Sequence, residues 1–167
     1  FFPQFPVVLL QGKTDGNVAI TLKAGSPQAD IRGDIKIKDA GIKIQGVPQP
    51  IKNISGGLQF DGTTATLKGI SGRYGSLIAK VDGKASLQSG LNLNVDVEPA
   101  DIAKAMKSLG LKTSLPIEGE VKLKAKIIGQ NPQITANFAS TKPITIDRFT
   151  LSQVQGQIET KDVNSPQ

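Results

Sequence analysis

Histidine, cysteine and tryptophan are absent from these 167 residues, and tyrosine occurs once. Without cysteine there are no disulfides and no thiolate metal sites, a lack permitted in any compartment. Without histidine the chain forgoes the commonest metal ligand and the commonest general base near neutral pH. No stretch approaches the roughly 18 consecutive apolar residues of a membrane helix, and the first residues have neither the charged start nor the long apolar core of a signal peptide. Any anchor or address is therefore expected outside this segment. The chain opens Phe1-Phe2-Pro3-Gln4-Phe5 without an initiator Met and closes on the polar run Lys161-Asp162-Val163-Asn164-Ser165-Pro166-Gln167. Both ends are expected to be cuts within a longer product. The length suits one domain or part of a repetitive one.

Lys and Arg number 20 against 14 Asp and Glu, a net charge of +6. A basic balance invites nucleic acid or an anionic membrane, but here lysines alternate with apolar residues, most clearly in Val121-Lys122-Leu123-Lys124-Ala125-Lys126-Ile127. That pattern reads as a solvated outer sheet face whose lysines discourage edge pairing. Beyond residue 5 the aromatics are Phe60, Tyr74, Phe138 and Phe149. None is interleaved with basic groups as a base-stacking platform would be, so nucleic acid is not an expected partner.

Period-two alternation of apolar and polar residues dominates, the mark of strands with one apolar face. It predicts about a dozen short strands, around Val18–Leu22, Ile31–Ile37, Ile42–Ile44, Leu58–Phe60, Ala65–Leu67, Leu77–Val81, Ala85–Leu87, Leu91–Val97, Val121–Ile127, Ile134–Phe138, Ile144–Ile146 and Val154–Ile158. Asp15-Gly16, Asp61-Gly62 and Asp82-Gly83 have the chemistry of tight hairpins, and Ala40-Gly41, Ser89-Gly90 and Asn131-Pro132 punctuate the rest. Neighbouring strands are thus expected to pair antiparallel as a meander. One short helix is expected near 99–109, with Pro99 in its first turn and Gly110 ending it.

An internal repeat organises the chain. Gly16-Asn-Val18-Ala-Ile20-Thr-Leu22, Pro27-Gln28 and Ile31-Arg-Gly33-Asp-Ile35 reappear as Gly119-Glu-Val121-Lys-Leu123-Lys-Ala125, Pro132-Gln133 and Ile134-Thr-Ala136-Asn-Phe138. Ile51-x-x-Ile54-x-Gly56-x-Leu58 likewise matches Leu151-x-x-Val154-x-Gly156-x-Ile158. The expected organisation is an entry segment 1–15, a first β-unit 16–98, the helix at 99–110, an incomplete second β-unit 111–160 and a tail 161–167.

Catalytic motifs are not supported. Gly12-Lys13-Thr14 resembles the end of a phosphate-binding loop, but Val7 occupies the position of the required first Gly and no strand-to-helix context follows. Gly72-Arg73-Tyr74-Gly75-Ser76 reads as a strand connection. Acids are dispersed over Asp15, Asp34, Asp61, Asp82, Asp96 and Glu120, with no cluster suggesting paired carboxylates across a cleft. Ser71 and Ser114 have no His base and no elbow motif. Asn53-Ile54-Ser55 is a formal glycosylation sequon that decides nothing. The expectation is a non-enzyme without cofactor or metal.

The working part is then an apolar sheet face, which must be covered somehow. A sandwich, a barrel, an open trough and a stack of repeats all satisfy that need. Few aromatics leave a modestly filled interior with room for apolar cargo. The expected lining is Val18, Ile20, Leu22, Ile35, Ile37, Leu58, Phe60, Leu93, Val95, Val121, Leu123, Ile134 and Phe138, each equally explicable as ordinary core.

The stretch Pro50-Ile51-x-Asn53-Ile54-Ser55-Gly56-x-Leu58-x-Phe60-Asp61-Gly62, continuing to Leu67-x-x-Ile70-x-Gly72-Arg73-Tyr74-Gly75, resembles the repeated unit of the TamB family of translocation and assembly module proteins. It is also similar to the chloroplast envelope homologue and to AsmA-like proteins. The resemblance implies an all-β fold, a long antiparallel meander curled into a taco-like, half-open groove. It implies the periplasmic part of an inner-membrane-anchored protein of a diderm bacterium, cyanobacteria included, or of the chloroplast envelope. The implied activity is phospholipid transfer toward the outer membrane, or outer-membrane protein insertion, secretion or import with an Omp85-type barrel. The implied partners are lipid acyl chains or unfolded β-strands, and the Omp85-type barrel through the parent chain. The alternative is a self-filled β-sandwich serving as scaffold or as a surface-passenger or adhesin module.

Overall fold

Alternation places every second side chain on the same side of a strand, so antiparallel neighbours in register build one apolar and one polar sheet face. In the computed structural model, which describes residues 7–22, 29–44 and 48–160, the elements in chain order are β1 (Val7–Leu22), β2 (Ala29–Ile44), β3 (Ile51–Gly62), β4 (Thr64–Tyr74), β5 (Leu77–Ser86), β6 (Gly90–Asp101), α1 (Ile102–Ser108), β7 (Ile117–Glu118), β8 (Glu120–Gly129), β9 (Gln133–Ser140), β10 (Ile144–Ile146), β11 (Phe149–Leu151) and β12 (Gln155–Thr160). Nine strands form one antiparallel sheet in the order β1-β2-β3-β4-β5-β6-β8-β9-β12, with β1 and β12 at its edges. The fold is all-β, a long meander curled into an open groove rather than a closed barrel, with one short helix.

Several strands are longer than the alternation predicts, because the predicted breaks fall inside them. Asp15-Gly16 lies within β1, Ala40-Gly41 within β2 and Asp82-Gly83 within β5. The glycines of the two Asp-Gly pairs serve close strand approach instead of turns. A Cβ at Gly16 would strike the carbonyl of Asp34, and one at Gly83 that of Asn92. Asp61-Gly62, Ser89-Gly90 and Asn131-Pro132 do mark reversals, between β3 and β4, β5 and β6, and β8 and β9 respectively. Pro27-Gln28 and the tail 161–167 lie outside the described residues.

Within the long strands the apolar set changes parity. In β2 it runs Ile31, Gly33, Ile35, Ile37 and then Ala40, Ile42, Ile44. In β4 it runs Ala65, Leu67 and then Ile70, Gly72, Tyr74. Each change coincides with a register shift: near Gly12 in β1, Asp39 in β2, Asn53 in β3, Gly69 in β4 and Pro99 in β6. An extra residue inserted there returns the next apolar side chain to the same face and adds local bend and twist. The shifts are anchored by side chains. The Asp82 carboxylate accepts from the Gly69 amide, and Ser55 Oγ accepts from the Asp39 amide at 3.1 Å.

The second repeat motif has a structural counterpart. Asn53 and Gln153, at equal positions in the two copies, both take positive φ, 54° and 57°. Ile37 pairs with Gly56 as Phe138 pairs with Gly156, and Ile35 with Leu58 as Ala136 with Ile158. The first motif is not equivalent in register. Val18 faces Gly33, but Val121 faces Ser140 rather than Ala136. The helix separates the two units along the chain but not in the sheet, since β6 pairs directly with β8.

The helix begins later than predicted. Pro99 and Ala100 still belong to β6, and Asp101 is the N-cap, its carboxylate accepting from the Lys104 amide at 2.9 Å. Ser108, 6% exposed, docks the helix on the β4–β5 turn. Its hydroxyl donates to the Lys104 carbonyl and accepts from the Ser76 amide, each at 2.9 Å. Beyond β9 the chain bends into a small sheet ordered β11-β10-β7.

That bend is tied by Glu120, which accepts from the Thr141 hydroxyl at 2.6 Å and from Lys142 Nζ at 3.1 Å. The Thr141 hydrogen bond, and then Lys142, hold its carboxyl below the ordinary range. A depressed folded-state value means that the contribution is present above the unfolded carboxylate range and is lost as pH falls through the folded one. The melting temperature of Glu120→Gln should therefore lie below the wild type at pH 7, and the two should converge as the pH drops below about 4. A gap that persists in acid would mean that the charge is not what ties the bend.

Candidate functional site

The register assembles one aliphatic surface from every strand of the large sheet. A single row crosses all of them: Gly16, Ile35, Leu58, Leu67, Gly83, Leu93, Ile127, Ile134 and Thr160 are successive cross-strand partners. A flanking row joins Val18 to Gly33, Phe60 and Ala65, and a further one joins Ile70 to Val81, Val95, Ala125, Ala136 and Ile158.

The register thus puts all of the predicted lining residues on this face. Ile35, Leu58, Leu93 and Ile134 share the long row. Ile37 pairs with Gly56, and Leu123 stands between Val97 and Phe138. Val121 stands between Ala100 and Ser140. Val18, Ile20 and Leu22 occupy the β1 edge and are the most open, at 41%, 63% and 77% exposure. The others are half-buried. Leu67, Ile70, Val81, Leu91, Val97, Ile127 and Ile158 complete the face and were not predicted. Parity within each strand, followed through the register shifts, is the signal that would have found them.

The two phenylalanines on this face sit against small residues. Phe60 lies between Gly33 and Ala65. Phe138 lies between Leu123 and Gly156, where a Cβ would come within 2.7 Å of the ring's Cε1. Glycine there leaves space for the ring to lie along the sheet.

Among the described residues no second layer covers this face. Among the described apolar residues only Ala40, Ile54, Ala100, Ala136 and Ile144 are buried, and no large side chain is below 2% exposure. A self-filled sandwich would bury a set of large aliphatic side chains between two layers, and this burial pattern does not.

The opposite face is polar. One of its rows is Lys80, Asp96, Lys124, Asn137 and Gln157, with Lys124 Nζ 3.3 Å from Asp96 Oδ1. Lys122 and Lys126 are exposed on the same face. Such exposed pairs contribute about 0.2–1 kcal/mol each, so this side confers solubility more than stability. Gly12-Lys13-Thr14 lies inside β1 and Gly72–Ser76 forms the end of β4 and its turn into β5. Among the described residues no group of three or more Asp, Glu, His or Cys is placed to hold a metal ion, and no helix is long and apolar enough to cross a membrane.

The chain matches no family model, no curated protein and no solved structure. Its function must be argued from the face itself.

Leu123→Asp places a carboxylate between Val97 and Phe138 and should cost about 1–3 kcal/mol in urea denaturation, whereas Lys122→Asp, on the polar face, should stay within about 0.5 kcal/mol of the wild type. Equal effects would refute the face assignment.

Proposed function

We propose that this chain is a segment of a TamB-like envelope protein, and that its open aliphatic groove carries phospholipid acyl chains toward the outer membrane. The observation that carries this reading is a continuous apolar face running through nine strands, partly exposed along its length and covered by no second layer among the described residues. Acyl chains need no catalytic residue from their carrier, because each buried CH₂ gains about 0.8 kcal/mol and a smooth aliphatic wall lets a chain slide without breaking directional bonds. The proposed location is the periplasmic side of an inner membrane, in a diderm bacterium or the chloroplast envelope, with the parent chain working alongside an Omp85-type barrel.

A second reading has its own support. The outer edge of β1 is a sixteen-residue strand with no neighbour in the described sheet. Such an edge can receive an unfolded β-strand by addition, with alternate side chains falling on the apolar face, which suits outer-membrane protein insertion, secretion or import.

Native mass spectrometry and lipid extraction on the chain purified gently from a membrane-containing lysate separate these readings. Phospholipid should co-purify, and should be lost in Leu123→Asp/Phe138→Asp so long as that variant keeps its far-ultraviolet strand signal. A lipid-free mass with a cooperative melt would overturn the lipid reading.

A further inference from the structure

The end of the groove where β4 turns into β5 carries a second apolar feature that the groove does not use. From Ile102 to Ile117 the chain forms α1 and the connection to β7, and this stretch includes Lys104, Lys107 and Lys112 but no Asp or Glu. Leu109, Leu111 and Leu115 on it are 48%, 56% and 51% exposed. An open cavity of about 610 Å³ between the helix and the connection is bordered by Met106, Lys107, Leu111, Lys112 and Leu115, with Glu118 the one acid among its lining residues. The β10–β11 hairpin is tied to the same connection by the Asp147 amide, which donates to the Pro116 carbonyl at 3.0 Å. In that hairpin Ile146 pairs with both Ile117 and Phe149, so Phe149, 73% exposed, shares a face with Ile117.

Leucines and a phenylalanine left in solvent beside several lysines are costly for a free surface, and they match the chemistry of a lipid headgroup boundary. Apolar side chains enter the acyl region while lysines meet anionic headgroups. We propose that the 102–117 segment with the Phe149 hairpin is an interfacial contact for an anionic membrane surface. The docking of Ser108 on the β4–β5 turn fixes this contact at one end of the groove. If the groove carries lipid, as proposed above, the contact sets its mouth against a bilayer, but membrane contact itself does not depend on that reading.

The absence of tryptophan makes the test direct. Leu111→Trp introduces a sole indole in the contact. Leu87→Trp is the control, at an exposed leucine, 46% accessible, in the β5–β6 turn at the opposite end of the sheet. With vesicles of phosphatidylcholine containing phosphatidylglycerol, Trp at 111 should shift to the blue and be quenched by brominated acyl chains, while Trp at 87 should do neither. Replacing Lys104, Lys107 and Lys112 together by Gln in the Leu111→Trp chain should weaken partitioning about a hundredfold. No shift at 111, equal shifts at 111 and 87, indifference to the three lysines, or a shift at 111 only when a protein partner is added would each overturn the proposal. Two variants of the Leu111→Trp chain separate the two readings: loss of co-purified lipid with the vesicle response intact in Leu123→Asp/Phe138→Asp leaves the contact standing, and loss of the vesicle response with lipid still co-purifying in the triple Gln variant leaves the groove standing.

Discussion

The structure depends on keeping one face of the sheet apolar through strands as long as sixteen residues while the sheet twists and curls. Strict alternation over that length favours an extended ribbon, and a slip of one residue would turn every later side chain to the wrong side. The chain meets both demands with single inserted residues in β1, β2, β3, β4 and β6, each adding bend and each followed by a change of parity in the apolar set. Curl and continuity of the face thus come from the same residues. Substitutions around Asp39, Asn53 or Gly69 act on the groove without touching its lining.

A sheet whose apolar side is only half covered gives up part of the burial that ordinarily drives folding. It retains a dense ladder of backbone hydrogen bonds and the partial shelter each aliphatic side chain finds against its cross-strand neighbours. Gly156, beside Phe138, leaves the room that the ring occupies against the sheet. The outcome is a wall of uniform aliphatic character, with lysines and their few acidic partners on the far side. Such a wall distinguishes poorly between one acyl chain and another, which suits a conduit better than a selective receptor.

Fold class and face were legible because alternation is the strongest short-range signal in a chain with so few helix-favouring runs. The lengths of the strands were not. Asp15-Gly16 and Asp82-Gly83 look like hairpin turns, yet Gly16 and Gly83 are small because neighbouring backbone carbonyls approach them, a tertiary constraint invisible to a local reading. Pro99 suits a first helical turn, yet the N-cap is Asp101 and Pro99 occupies the register shift at the end of β6. Of the expected lining, Val18, Ile20 and Leu22 are the most exposed, because β1 stands at the edge of the sheet, which local alternation does not reveal. Leu109 fits the helical period of the 99–109 segment, whereas Leu111 and Leu115, between α1 and β7, follow no period.

Apolar cargo is proposed to meet one face of the sheet and not the other. A photoreactive phenylalanine analogue at Leu93, in the middle of the long row, and separately at its neighbour Asn94 on the polar face, tests this in living cells that make the protein. Crosslinks to lipid from position 93 and none from position 94 are expected. Equal labelling from both positions, or none from 93, would mean that the apolar face does not carry the cargo.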